Sequence, residues 1–174
     1  MAKFLSAYKS FLDAVTGAVG FFSGLLVLFM GFMIFYEVIC RSVFNAPTEW
    51  VMELSTYCLT TCGFLGMGVA YAGKKHIHVD ILLSKLSEKN CTYLGVFTSL
   101  AGAMYALLFT IEGSQMVALS MELNTTAPTT LSTPLWIPQL AMPVGMLLLF
   151  LHLVYTFLEN INKVATDDFA KEEK

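Results

Sequence analysis

Charged residues divide the chain into long apolar segments. Asp, Glu, Lys and Arg are absent from four stretches of 23, 20, 22 and 36 residues, which are 14–36, 54–73, 90–111 and 123–158. A hydrocarbon core about 30 Å thick is crossed by roughly 20 helical residues, so each stretch is long enough to span a membrane. The last stretch opens with a polar segment rich in Thr, Ser and Pro, which leaves its second part to span. We predict a single domain over residues 1–174 with four transmembrane helices, at about 14–40, 51–73, 90–112 and 135–158.

Two shorter segments are amphipathic. Within 79–89, apolar residues recur with the spacing of one helix face, at Val79, Leu82, Leu83 and Leu86. Before the first span, a second stripe lies opposite Lys and Ser positions and consists of Phe4, Leu5, Tyr8, Phe11, Leu12 and Val15. Helices of this kind lie in the membrane interface, with the apolar face toward the acyl chains. The predicted fold is an all-α membrane protein with four transmembrane helices and two interfacial amphipathic helices, one N-terminal and one at 79–89.

The basic residues indicate how these helices are oriented. Nine of the ten lie before span one, between spans two and three, or after span four, and they are Lys3, Lys9, Lys74, Lys75, Lys85, Lys89, Lys163, Lys171 and Lys174. The loops on the other side contain only Arg41. Because Lys and Arg are retained on the cytoplasmic face, both termini are predicted to be cytoplasmic in a bacterial inner membrane. Trp50 and Trp136 then lie at the outer ends of spans two and four, as membrane anchors in the headgroup layer.

Composition supports a membrane protein in contact with phospholipid. The chain is 56% hydrophobic and only 13% charged, with a mean hydropathy of +0.68, whereas soluble domains carry about 25% charged residues. The net charge of −3 provides no basic face for a nucleic acid.

The sequence "GKKHIHVD" offers the most conspicuous candidate chemistry, because two histidines and an aspartate alternate. On a helix, His76, His78 and Asp80 would be about 200° apart from one to the next and could not converge on one ion. The sequence nearby has no thiolate or third imidazole to complete a tetrahedral site. We therefore predict no metal site and interpret Lys74, Lys75, His76 and Asp80 as a polar cytoplasmic junction.

Other polar residues near the spans do not form a catalytic set or a cofactor site. The four cysteines form no CxxC motif, and His152 is the one histidine inside a span, which we interpret as a hydrogen-bonded packing residue. Glu37 and Arg41 are spaced i, i+4, and Glu53 follows in the next span, so a charge cluster of Glu37, Arg41 and Glu53 is expected on the outer side. It is either a true cluster across the first hairpin or a set of side chains that reach the headgroups separately. We predict neither an enzyme nor a cofactor.

Small residues recur along three spans. In lipid, where burial of apolar surface drives helix association only weakly, such stripes let helices approach closely. The candidates for a partner interface are Gly17, Gly20, Gly24, Gly31, Gly63, Gly66 and Ala70. The pattern does not say whether the partner is a second copy or another protein.

The segment "EVICRSVFNAPTEWVMELSTYCLTTCGFLGMGVAYAGKKHIHVDILL" resembles the small, DctQ-like membrane subunit of tripartite ATP-independent periplasmic (TRAP) transporters. The likeness rests on an Arg that ends span one, Pro and Trp before an acidic start of span two, a Gly-rich span, and a basic run into His-x-x-Val-Asp. The segment "TPLWIPQLAMPVG" is similar to the entry of the family's last span.

The resemblance implies that the chain does not itself move the substrate. In such systems a large subunit moves an organic acid, of the sialic acid or C4-dicarboxylate class, by a sodium-coupled elevator motion. A periplasmic binding protein delivers the substrate, and the small subunit acts as a scaffold, or stator. Sodium coupling would then lie on the large subunit. The alternative is a self-sufficient small transporter or channel that works as a homo-oligomer.

Overall fold

The computed structural model describes residues 2–73 and 88–166. Five helices account for most of this chain: α1 (Ala2–Val43), α2 (Glu49–Ala72), α3 (Glu88–Glu122), α4 (Trp136–Gln139) and α5 (Ala141–Thr166). Helices are the only regular elements among the described residues, and the loop between α3 and α4 contains an isolated bridge between Thr126 and Pro134. The junction from Lys74 to Asp80 and most of the predicted 79–89 interfacial helix lie outside the described residues.

Three of the helical segments are long and apolar enough to cross a membrane, namely Leu5–Val43, Cys91–Glu122 and Trp136–Asn162. They correspond to predicted spans one, three and four. The segment that matches span three ends at Glu122, ten residues past its expected end at 112. The predicted second span is helix α2, whose 24 residues would measure about 36 Å. It is not among the three, because its Ser, Thr, Tyr and Gly residues lower its mean hydropathy.

The first helix begins earlier than the sequence suggested. Residues 2–43 form one uninterrupted helix of 42 residues, about 63 Å long, whereas the hydrocarbon core is about 30 Å thick. The prediction of a separate N-terminal interfacial helix is therefore wrong. Its apolar stripe serves instead to pack α1 against the bundle: Leu12 is only 1% exposed, and the Tyr8 hydroxyl donates to the Leu151 carbonyl of α5 at 3.1 Å.

The bundle is built from two hairpins that meet along α5. Helix α5 packs extensively on α3 and on α2, α2 packs on α1, and α1 has a smaller contact with α5. The core between α3 and α5 is formed by Ala103, Ala106 and Leu153. Small residues set these distances, because a Cβ on Gly102 would lie 3.2 Å from Leu153 and one on Gly145 would overlap the Phe64 carbonyl of α2.

The loop from α3 to α4 is held by its own backbone. Asn124 has a left-handed φ of 48°, and the N–H of Thr125 donates to the Ser120 carbonyl at 3.1 Å, which together close the end of α3. The N–H of Ala127 donates to Thr133 at 2.9 Å, and the N–H of Leu135 donates to Thr125 at 3.0 Å. The loop is therefore folded back on itself at the end of the bundle where α2 and α5 begin.

Candidate functional site

The polar residues predicted on the outer side surround one cavity. It has a volume of about 680 Å³ and lies between the end of α1, the start of α2 and the 128–130 segment, and its lining includes Glu37, Arg41 and Glu53. We call these residues together with Glu49 and Thr48 the outer cluster.

Glu37 holds the turn between α1 and α2. One of its carboxylate oxygens, Oε2, accepts the backbone N–H of Thr48 at 2.9 Å and also the Thr48 hydroxyl. Thr48 immediately precedes α2, so this carboxylate fixes the entry of the second helix relative to the end of the first. Arg41, one turn further along α1, lines the same cavity as Glu37.

Glu53 and Glu49 hold the long loop. The Tyr57 hydroxyl donates to Glu53 Oε1 at 2.6 Å, and the carboxylate is also faced by the hydroxyls of Thr129 and Thr133. Glu53 is only 9% exposed, and a buried carboxylate of this kind needs such donors. The Thr130 hydroxyl donates to Glu49 Oε2, so residues in two successive turns of α2 bind the loop between α3 and α4.

The structure thus brings Glu37, Arg41 and Glu53 to one cavity, and each of the two carboxylates is hydrogen-bonded to its own neutral donors. Sequence reasoning missed those donors. Tyr57 lies at i+4 from Glu53 and Thr48 at the N-terminal boundary of α2, so local spacing could have found both. The threonines of the 125–135 loop are distant in sequence, and no local signal points to them.

The two predicted anchors lie at this same end of the bundle. Trp50 is 39% exposed in the first turn of α2, and its ring centroid is 6.0 Å from that of Tyr36. Trp136 is the first residue of α4.

The predicted interface glycines divide into two groups. Gly20 packs inside the chain, since a Cβ there would lie 3.4 Å from Val69 of α2. A Cβ would meet nothing within 4 Å at the other five positions, which are Gly17, Gly24, Gly31, Gly63 and Gly66. Ala70 is half-buried.

A second polar group lies where the first half of α1 meets α5. The Nε2 atom of His152 and the Thr16 hydroxyl are hydrogen-bonded at 2.7 Å, and both residues are buried. The Tyr71 ring of α2 lies 6.4 Å from the His152 ring. The interpretation of His152 as a hydrogen-bonded packing residue agrees with this geometry.

Among the described residues, no three His, Cys, Asp or Glu side chains come together as a metal site requires. His76, His78 and Asp80 lie outside that part of the chain. The outer cluster and the Thr16–His152 pair connect helices and loops to one another. The fold defines a multi-pass helical membrane protein.

The chain belongs to the DctQ component family of the tripartite ATP-independent periplasmic transporters. The family model matches residues 30–163, which is most of the chain, and this confirms the resemblance seen in the sequence. The family is a transporter component rather than an enzyme family. With the three apolar helices, membership places the chain in a bacterial inner membrane as a multi-pass protein.

Two curated relatives come from Haemophilus influenzae. The chain is 28% identical over 103 residues to a "Putative TRAP transporter small permease protein", covering 59% of this chain and 63% of that one. It is 29% identical over 73 residues to the "Sialic acid TRAP transporter permease protein SiaT", covering 42% of this chain and 12% of that one. In both cases the chain spans less than two thirds of the relative's length.

Proposed function

We propose that this chain is the scaffold subunit of a sodium-coupled, binding-protein-dependent TRAP transporter for an organic acid. It would hold the large, moving subunit in place, while sodium coupling and substrate selection lie on other chains. The substrate class is sialic acid or a C4-dicarboxylate, and the first of these is favoured by the name of the SiaT relative. In this arrangement α2 is the fourth span, both termini face the cytoplasm, and the outer cluster faces the periplasm and the binding protein.

The observation that carries the proposal is a glycine-lined face on the α1–α2 hairpin. The Cys62 thiol of α2 contacts the Ser23 carbonyl of α1 at 3.5 Å, so these two residues face each other. Gly24 and Gly63 are the next residue in each helix. One residue is a rotation of about 100°, and in antiparallel helices the two rotations have opposite sense when viewed from one end. Both glycines therefore turn to the same side of the hairpin at the same depth.

Small and large residues alternate regularly along the α1 part of this face. Glycine alternates with large exposed side chains at intervals of three and four residues, in the order Gly17, Phe21, Gly24, Leu28, Gly31 and Phe35. This is the 3.5-residue repeat of a helix that receives a second helix along a seam, with holes at the glycines and knobs between them. We call the surface formed by these residues and Gly63 the hairpin face.

Glycines elsewhere in the same bundle explain why the open ones are informative. Among the glycines of the described helices, six have a neighbouring helix within 3.4 Å of the Cβ position: Gly20, Gly68, Gly95, Gly102, Gly113 and Gly145. Glycine in a helix costs about 1 kcal/mol relative to alanine, and lipid contact alone gives no reason to accept that cost. The five open glycines are thus the positions at which a partner helix fits.

Substitution on the hairpin face tests the proposal. Leucine at Gly24 or Gly63 would fill a hole without meeting any atom of this chain at the Cβ position. We expect Gly24→Leu and Gly63→Leu to reduce co-purification with the co-expressed large subunit at least tenfold, while the isolated variants remain folded. Ala101→Leu, on the exposed surface of α3, is the matched control and should bind normally. Normal binding by both glycine variants would refute the hairpin face as the docking surface.

The alternative, a small transporter that works as a homo-oligomer, predicts a different result. Purified chain reconstituted alone into vesicles would then take up sialic acid or a C4-dicarboxylate. The scaffold proposal expects no uptake until both the large subunit and the binding protein are added. Uptake by the chain alone would overturn it.

A further inference from the structure

Helix α1 is attached to the two neighbouring helices in different ways. Along α2 it packs over much of its length, whereas its contact with α5 is small and includes Tyr8 and Thr16. The two hairpins are held together mainly by α2 and α5, and this small contact is where α1 itself meets α5.

The contact is directional rather than only apolar. His152 is 5% exposed and Thr16 is 8% exposed, and each is the other's hydrogen-bond partner across the two helices. A buried hydroxyl or imidazole that loses its partner is destabilised because water cannot replace the bond. The Tyr8 hydroxyl, two turns earlier, donates to the backbone of α5, and its ring lies 6.0 Å from that of Tyr155.

The position of Thr16 connects this contact to the hairpin face. Thr16 directly precedes Gly17, as Ser23 directly precedes Gly24. Each glycine of this pair therefore follows a residue that is fixed against a neighbouring helix, Thr16 against α5 and Ser23 against α2. Once Thr16 is turned toward His152, the rotation of α1 is set, and with it the direction in which Gly17 points.

We propose that Thr16 and His152 are positioning residues that fix the orientation of the hairpin face relative to the α3–α5 half of the bundle. The inference rests on the proposed scaffold function, because it assigns these residues the task of presenting that face to the large subunit. A residue that only filled space at this position would not need a hydroxyl.

Two substitutions of Thr16 distinguish a positioning role from simple packing, according to which of the two variants binds the large subunit more weakly. Thr16→Val keeps the shape and removes the hydroxyl, whereas Thr16→Ser keeps the hydroxyl and removes a methyl group. If the bond positions α1, Thr16→Val should weaken binding of the large subunit about three- to tenfold, the range given by interhelical hydrogen bonds in membranes, and Thr16→Ser should bind normally. If Thr16 only packs, Thr16→Ser should be the weaker variant, and that order would overturn the proposal. Thr98→Val, which removes an exposed hydroxyl bonded within its own helix α3, is the matched control.

A distance measurement on the chain alone makes the test independent of the partner. Spin labels at Lys9 of α1 and Ile161 of α5, both exposed, report the separation of the two helices near this contact. We expect one narrow distance distribution for the parent and for Thr16→Ser, and a broadened one for Thr16→Val. If the distance distribution of Thr16→Val were the same as that of the parent, the positioning role would be overturned, whatever the binding measurement showed. Failure of the parent chain to bind the large subunit would instead count against the scaffold function.

Discussion

Replacing Gly145 by alanine is expected to separate α2 from α5. Gly145 lies in the second turn of α5, and a Cβ added there would overlap the carbonyl carbon and oxygen of Phe64, with the Phe64 Cβ at 2.9 Å. A backbone carbonyl cannot turn aside as a flexible side chain can. The helices must therefore move apart, and the neighbouring contact between Gly68 and Leu148 would loosen with them.

The expected magnitude comes from two opposing effects. Inserting a methyl group into a packed interface typically destabilises by about 1–3 kcal/mol. Alanine in place of glycine regains about 1 kcal/mol of helix propensity. At Gly145 the steric effect is at the upper end because the clash is with backbone, so we expect a net loss of about 1–2 kcal/mol. At Gly24, where nothing lies within 4 Å, only the gain applies.

Thermal unfolding of the purified chain in detergent measures both effects. For a chain of 150–250 residues, 1 kcal/mol corresponds to a shift in Tm of about 2–4 °C. Gly145→Ala should therefore lower Tm by roughly 2–8 °C, and Gly24→Ala should leave it unchanged or raise it slightly. Equal effects of the two substitutions would refute the distinction between glycines that pack within the chain and glycines that are open.

Two further predictions concern the outer cluster. Glu53→Ala removes the acceptor shared by Tyr57 and the loop threonines. We therefore expect the free energy of unfolding to fall by about 1–3 kcal/mol and protease cleavage within 128–131 to become faster. Glu122→Ala, at the exposed end of α3, is the control and should change neither quantity. Thr48→Val removes one of two donors to Glu37, while the backbone N–H remains. Thermal unfolding should therefore show a smaller loss of stability, about 0.5–1.5 kcal/mol. A loss of stability as large as that of Glu53→Ala would contradict the assigned roles.

Sequence patterns located most helices because apolar length and charge position act locally. The spans predicted at 14–40, 90–112 and 135–158 are each contained in, or nearly match, a helical segment of the structure. The ends were less accurate because a charge does not end a helix: α3 continues past Glu112 to Glu122. The start of α1 was missed for a similar reason, since an amphipathic stripe is compatible with a flat interfacial helix and with packing against a neighbour.

The outer cluster shows where sequence information stops. The charges of Glu37 and Glu53 mark the region, and local spacing reaches Thr48 and Tyr57. The loop threonines that complete the cluster are more than seventy residues away along the chain, and their contact with α2 depends on how α5 packs. Pattern can say that buried carboxylates need donors, but tertiary packing decides which donors they receive.

Exposure means something different in this protein from what it means in a soluble one. Only 6% of the most apolar window of α1 is buried, but large apolar side chains on a membrane helix are equally at home against lipid tails, so their exposure alone indicates no partner. Glycine is different, because a lipid-facing position loses helix propensity with glycine and gains nothing by close approach. The open glycines at heptad spacing on α1, turned to the same side as Gly63 of α2, are therefore the feature on which the proposed docking surface rests. On that reasoning, leucine at Gly24 should interfere with a partner while leaving this chain's own packing intact.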